Sequence, residues 1–165
     1  MPESKMRMFQ YNKNIKYYWG IVLVLAGVVV LVLVWILGNE RTPTMWPHFE
    51  RYLYINNKKI KIAVADTPAK RQRGFMFVKK VPENSGILFI FEKESKEHCF
   101  WMKNTRVKLS IAFINKEKEI IEIKDMTPLD LNLVCPKEKI LYALEVEQGY
   151  FEKNNIKEKD KIRIE

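Results

Sequence analysis

The reactive side chains of this 165-residue sequence are scarce, with only two cysteines, Cys99 and Cys135, and two histidines. A thiol nucleophile needs a base within hydrogen-bond reach, and His98 adjoins Cys99. In a strand, adjacent side chains point to opposite faces, so that couple fails on local geometry, and His98 meets Cys135 only through the fold. Neither Cys-x-x-Cys nor His-x-x-x-His spacing occurs, so no metal site is expected, and nothing implies a cofactor. Cys99 and Cys135 either pair as a disulfide or stand as two separate buried thiols. The spacing does not decide, because it does not set their Cα separation.

A second set of residues has the chemistry of a polar cleft. Phe100 and Met102 fall on one face of an extended segment, with Trp101 and Lys103 on the other. Either these residues are core followed by a turn at Asn104-Thr105, or Trp101 is a flat apolar wall with Lys103 and Asn104 as polar fingers. Tryptophan with an amide suits sugars and envelope polymers. Arg71 and Arg73 either bind an anion beside that wall or serve structure by packing on the sheet and pairing with a carboxylate, Glu145 being one candidate. Arg71, Trp101, Lys103, Asn104 and Glu145 are therefore the candidate ligand site. Glu145, Glu147, Asp125 and Asp130 would have to supply any paired acids for glycoside hydrolysis, but their spacing fixes no carboxyl separation.

Such a cleft must be held by rigid elements, and the chain after residue 51 supplies short ones. Ile60, Ile62 and Val64 alternate with Lys59, Lys61 and Ala63, the period of a half-buried strand. Thr67 and Pro68 start a helix, as cap and first helical residue, and Gly74 ends it. Apolar or alternating runs over 86–91, 99–102, 109–114, 119–123, 141–146 and 161–164 predict further strands. Many short strands and one short helix predict a mainly β domain, a sandwich or a barrel, over 52–165.

The front of the chain belongs to another solvent. Residues 19–37 include fourteen Ile, Leu or Val and no charge. As a helix they would reach about 28 Å, enough to cross a hydrocarbon core. Lys5, Arg7, Lys13 and Lys16 precede this run, so the positive-inside rule leaves the N-terminus in the cytoplasm. The expected order is a cytoplasmic tail (1–16), a membrane helix (17–38), a stalk with Pro43 and Pro47 (39–51) and an extracytoplasmic domain, with Trp46 and Phe49 either touching the membrane surface or beginning the core. A cleaved signal would need a shorter apolar core ending at a site such as Ala-x-Ala, which Trp35-Ile36-Leu37-Gly38-Asn39-Glu40 does not offer. The net charge of +9 does not point to nucleic acid, because Lys and Glu alternate closely, as in Lys116-Glu117-Lys118-Glu119.

Several of these residues carry a family resemblance: Asp66-Thr67-Pro68, Arg71, Gly74-Phe75-Met76, the run from Gly86 to Phe91, Phe100-Trp101-Met102-Lys103-Asn104-Thr105, Met126 with Pro128, and Leu144-Glu145-Val146 with Gly149. In this order they closely resemble the domain of unknown function 192 family over about residues 55 to 165. The resemblance implies a compact β-sandwich of jelly-roll character, often exported or lipid-anchored, and no established reaction. Where the family typically carries Pro-Leu-Asp, this chain has Lys108-Leu109-Ser110, so a carboxylate is missing. Three functions are consistent with these observations: a tethered ligand-binding module of the cell envelope, an envelope hydrolase of glycan or peptide, and an accessory subunit bound to a membrane protein.

Overall fold

The computed structural model describes Leu25, residues 27–31 and residues 46–165. The chain divides into two compact units, Met1–Thr44 and Met45–Glu165. In the first, Leu25 and residues 27–31 are helical and exposed. The rest of the expected membrane helix (17–38), the tail (1–16) and the early stalk lie outside the described residues, among which no helix is long and apolar enough to cross a membrane.

The second unit is mainly β. Its elements run β1 (Arg51–Ile55), β2 (Lys58–Ala65), α1 (Pro68–Arg73), β3 (Ser85–Ser95), β4 (Leu109–Ile114), β5 (Ile120–Met126), β6 (Ile140–Glu147), α2 (Tyr150–Lys153) and β7 (Ile162–Ile164). Helix α1 begins and ends where local chemistry demands. The Thr67 hydroxyl accepts from the Lys70 N–H at 3.3 Å, Pro68 takes the first turn, and Gly74 closes it at φ 42°. That positive φ suits a residue without a Cβ.

All seven strands share one sheet in the order β5-β4-β6-β3-β2-β1-β7. Only β2 and β3 run parallel, joined by the crossover that carries α1. The two edges meet at one end, where the Ile120 N–H donates to the Asp160 carbonyl at 2.9 Å and the Ile162 N–H to the Lys118 carbonyl at 2.9 Å. The sheet is therefore curled towards a barrel, one of the two architectures that the strand pattern leaves open, and the two-sheet jelly roll that the resemblance implies is not formed. The reason is visible in β3 and β4. Residues 86–89 and all of β4 are buried without alternation, as strands covered on both faces must be.

Two apolar clusters provide that cover. Leu53, Ile62, Leu88, Ala112, Ile120, Leu144 and Ile162 represent every strand on the inner face, closed by Phe151 of α2. Ile87, Phe89, Ile111, Phe113 and Ala143 line the outer face, covered by Phe75, Phe100 and Met102 from the loops. Each large side chain so buried contributes about 1.5–3 kcal/mol.

Trp46 and Phe49 join the core, since both pack on the outer cluster and the Trp46 indole N–H donates to the Gly74 carbonyl at 2.9 Å. Two sequence expectations need correction. The run 99–102 is not a strand but a single bridge, Phe100 to Val134. Strand β1 and helix α2 went unanticipated, although Leu53 and Ile55 alternate with tyrosines ahead of a turn at Asn56, φ 53°.

Candidate functional site

Strand β6 places Glu145 between Ile87 of β3 and Ile111 of β4. Alternation turns its side chain to the outer face, the side of Ala143, Phe89 and Ile111. Gly86 makes the β3–β6 approach feasible there, since a Cβ on it would lie 2.5 Å from the Glu145 carbonyl oxygen. Glu145 is 4% exposed, and its carboxyl has no hydrogen-bond or ion-pair partner among the described residues. No fully enclosed side-chain oxygen or nitrogen there lacks a partner, so the Glu145 oxygens must touch open space, and they do so at a cavity that Glu145 lines. Burial with nothing to offset it pushes the Glu145 pKa up from 4.5 to about 8. At neutral pH this group is mostly the uncharged acid, able to donate a hydrogen bond.

Glu122 shows what a structural carboxylate looks like in the same fold. It is as buried as Glu145 at 4% exposure, yet Lys124 and Lys137 both reach its Oε1 at 3.1 Å. The Lys137 N–H also donates to its Oε2 at 3.1 Å. Burial alone would raise its pKa, but hydrogen bonds from these lysines outweigh burial and lower it. Glu145 received no such partners.

The cavity over Glu145 measures about 220 Å³ and is walled by Gly74, Phe89, Phe91, Trp101 and Arg71. Gly74 sits against the carboxyl, a Cβ there falling 3.7 Å from Glu145 Oε2. A neighbouring cavity of about 340 Å³ is lined by Ala69, Lys103 and Asn104, and the two share Gln72, Arg73, Met76 and Trp101. All five candidate residues thus line one of two adjoining cavities, with Trp101 between them. Its ring is 40% exposed and lies 5.0 Å from Lys103 Nζ. Core packing does not account for it, whereas Phe100 and Met102 are core.

Arg71 is held by backbone oxygens. Its Nη1 donates to the carbonyls of Asp66 and Ile90, each at 2.9 Å, and the guanidinium stands 5.4 Å from the Phe91 ring. It forms no ion pair with Glu145, because the backbone oxygens on either side of α1 hold its head. Arg71 and Arg73 line the first cavity, Arg73 and Lys103 the second, and among the described residues Glu145 is the sole acid lining either. With that acid protonated, the cleft is cationic at neutral pH.

The other acids serve elsewhere. Asp125 accepts from the Ser110 hydroxyl at 2.6 Å and from the Gln148 amide at 2.8 Å, Asp130 accepts from the Asn132 N–H at 2.9 Å, and Glu147 lines a separate hollow beside Gln148. Leu109 lines the cleft, so alternation puts Ser110 on the opposite face. The carboxylate absent at position 110 would not have entered the cleft.

Cys99 and Cys135 are bonded, with Cα atoms 4.2 Å apart, which removes any thiol chemistry. His98 Nε2–H donates to the Lys93 carbonyl at 2.8 Å, and its ring stacks on Phe91 at 3.7 Å. No group of metal-ligating side chains occurs among the described residues.

Two solved structures share the fold. One, from Sinorhizobium meliloti and described provisionally as a transcription regulator, has a TM-score of 0.66 at 22% identity, covering 69% of this chain and 92% of that one. Another, a protein of unknown function from Novosphingobium aromaticivorans, has a TM-score of 0.63 at 23% identity, covering 68% and 83%. At such identity the likeness extends to the fold alone, and the two solved chains are little longer than that fold. No curated protein matches the chain. The model of the family DUF192, described as Uncharacterized ACR, matches residues 52–164, and the chain belongs to that family.

Proposed function

We propose that this domain is a binding module for a small anionic ligand, an acidic sugar or a phosphorylated metabolite, presented on the outer side of a cytoplasmic membrane. The observation that carries the reading is Glu145, a buried carboxyl left without a partner beneath an open, cationic cavity. In this arrangement the ligand's anionic group meets Arg73 and Lys103, its flat or apolar face lies on Trp101, and one of its oxygens accepts the Glu145 proton. The location is supported by the Cys99–Cys135 bond, which persists in oxidising compartments, and by the uncharged run 19–37. A hydrolase could use a neutral Glu145 as general acid, but glycoside hydrolysis needs a second carboxyl, and none among the described residues lines these cavities. An accessory-subunit role gains no specific support from the cleft.

Thermal-shift measurements on residues 46–165 near neutral pH test the proposal, with glucuronate, glucose 6-phosphate and inorganic phosphate as probes and glucose as the neutral control. At least one anionic probe is expected to raise Tm by roughly 5 to 10 °C at a hundredfold excess over Kd. Trp101→Ala, at an exposed position, should keep the fold and weaken that binding about tenfold. Equal stabilisation by glucose, no stabilisation by any probe, or a Trp101→Ala protein that binds unchanged would reject the assignment.

A further inference from the structure

We propose that the loops around the cleft mouth form a docking face for an anionic lipid bilayer. Five large apolar side chains stand exposed there: Phe77 at 62%, Trp101 at 40%, Leu129 at 54%, Leu131 at 64% and Leu133 at 63%. Backbone hydrogen bonds gather them into one surface. The Phe77 N–H donates to the Asn104 carbonyl at 2.9 Å, Leu129 to Thr105 at 3.0 Å, Met102 to Asp130 at 2.9 Å, and Phe100 exchanges bonds with Val134 at 3.0 and 2.8 Å. The Cys99–Cys135 bond fixes the same two loops together.

Folding does not explain these residues. They are not buried, and two of them stand where the backbone disfavours them, Phe77 at φ 65° and Leu129 at φ 63°. Glycine or asparagine adopts that conformation with little strain, whereas a bulky side chain does so at a cost. Rigid, exposed, apolar and locally strained residues point to a surface that is covered in use.

Charge identifies what covers it. Residues 73–80 and 101–108 contain no acid, although Lys and Glu alternate through much of the chain. Arg73 lies 5.0 Å from the Phe77 ring and Lys103 lies 5.0 Å from the Trp101 ring. Lys79, Lys80, Arg106 and Lys108 extend the same sign along these exposed segments. The one acid of the leucine loop, Asp130, is engaged by the Asn132 N–H. Aliphatic tips ringed by cations and aromatics match a bilayer, in which leucines enter the acyl boundary while cations meet lipid phosphates. Nucleic acid would use the cations and aromatics but leave three leucines without a role.

The test is co-sedimentation of residues 46–165 with phosphatidylcholine vesicles, with and without phosphatidylglycerol. Binding to the anionic vesicles is expected to exceed binding to the neutral ones by about tenfold or more. Leu131→Asp with Leu133→Asp, and separately Lys79→Glu with Arg106→Glu, should each reduce it about tenfold while leaving Tm unchanged. None of these four residues lines the ligand cavities, so the outcome is separable from the ligand assignment. Absence of vesicle binding, equal binding to neutral vesicles, indifference to both double variants, or retention on an oligonucleotide in place of vesicles would overturn the proposal.

Discussion

The stability of the β domain is expected to fall by roughly 3 to 5 kcal/mol as pH rises from 4.5 to about 8, and Glu145→Gln is expected to abolish most of that fall. In the unfolded chain Glu145 loses its proton near 4.5, whereas in the folded domain burial holds the proton until about 8. Between those values the native state binds the extra proton, so its stabilisation is complete below 4.5 and is lost as pH climbs through the folded value. The other perturbed groups do not mimic this. Asp66, Glu122 and Glu165 have lowered pKa values, so their contribution disappears on acidification, below the window of Glu145. Tyr150 is raised from 10.0 by burial and acts above it.

Urea denaturation of residues 46–165 at about pH 5 and about pH 9 measures the effect directly. Glutamine keeps the shape of a neutral carboxyl, so the variant should match the native protein at the lower pH and exceed it by several kcal/mol at the higher. A native protein equally stable at both, or a variant with the same decline, would remove Glu145 as the cause.

Loss of the Cys99–Cys135 bond is expected to cost about 4 kcal/mol and lower Tm by roughly 15 °C. The bond closes a loop across a sequence separation of 36, and opening it restores that chain entropy to the unfolded state. Opening it also frees the segments that carry Trp101 and Leu131 from each other, leaving the Phe100–Val134, Met102–Asp130 and Leu129–Thr105 hydrogen bonds to stitch them. Cys99→Ala with Cys135→Ala, followed by calorimetry, checks the magnitude. A fall of less than about 1 kcal/mol would mean that the remaining contacts hold these loops without the bond.

What could be read from the sequence was what depends on near neighbours. Helix α1 was legible because Thr67, Pro68 and Gly74 each act within a few residues of themselves. The five cleft residues were legible as a set because Trp, Lys, Asn, Arg and Glu have recognisable binding chemistry, and the fold does bring them to two adjoining cavities. The arrangement among them was not legible. Glu145 was one candidate partner for these arginines, but two carbonyls in the segments flanking α1 hold the Arg71 guanidinium instead, and no local pattern reveals that competition.

The single curled sheet was hidden for a similar reason. A buried run such as that of β4 shows that both faces are covered, but not whether a second sheet or the same sheet, bent round, provides the cover. Strand β1 was overlooked because Arg51, Tyr52 and Tyr54 dilute its apolar alternation and because the prolines just before it suggested a stalk. The cationic rim of the cleft was masked by the alternating charges along the chain, and only the fold places residues 73–80 beside residues 101–108.

A carboxyl that stays protonated at neutral pH under an open cationic cavity is the feature on which the binding assignment stands. Carbon-13 NMR of the Glu145 side-chain carboxyl, titrated in the domain from residue 46 onward, observes it without any ligand. A midpoint near 8 is the predicted result. A midpoint at the ordinary 4.5 would mean that water or an ion pair satisfies Glu145, and the cleft would lose the group proposed to read its ligand.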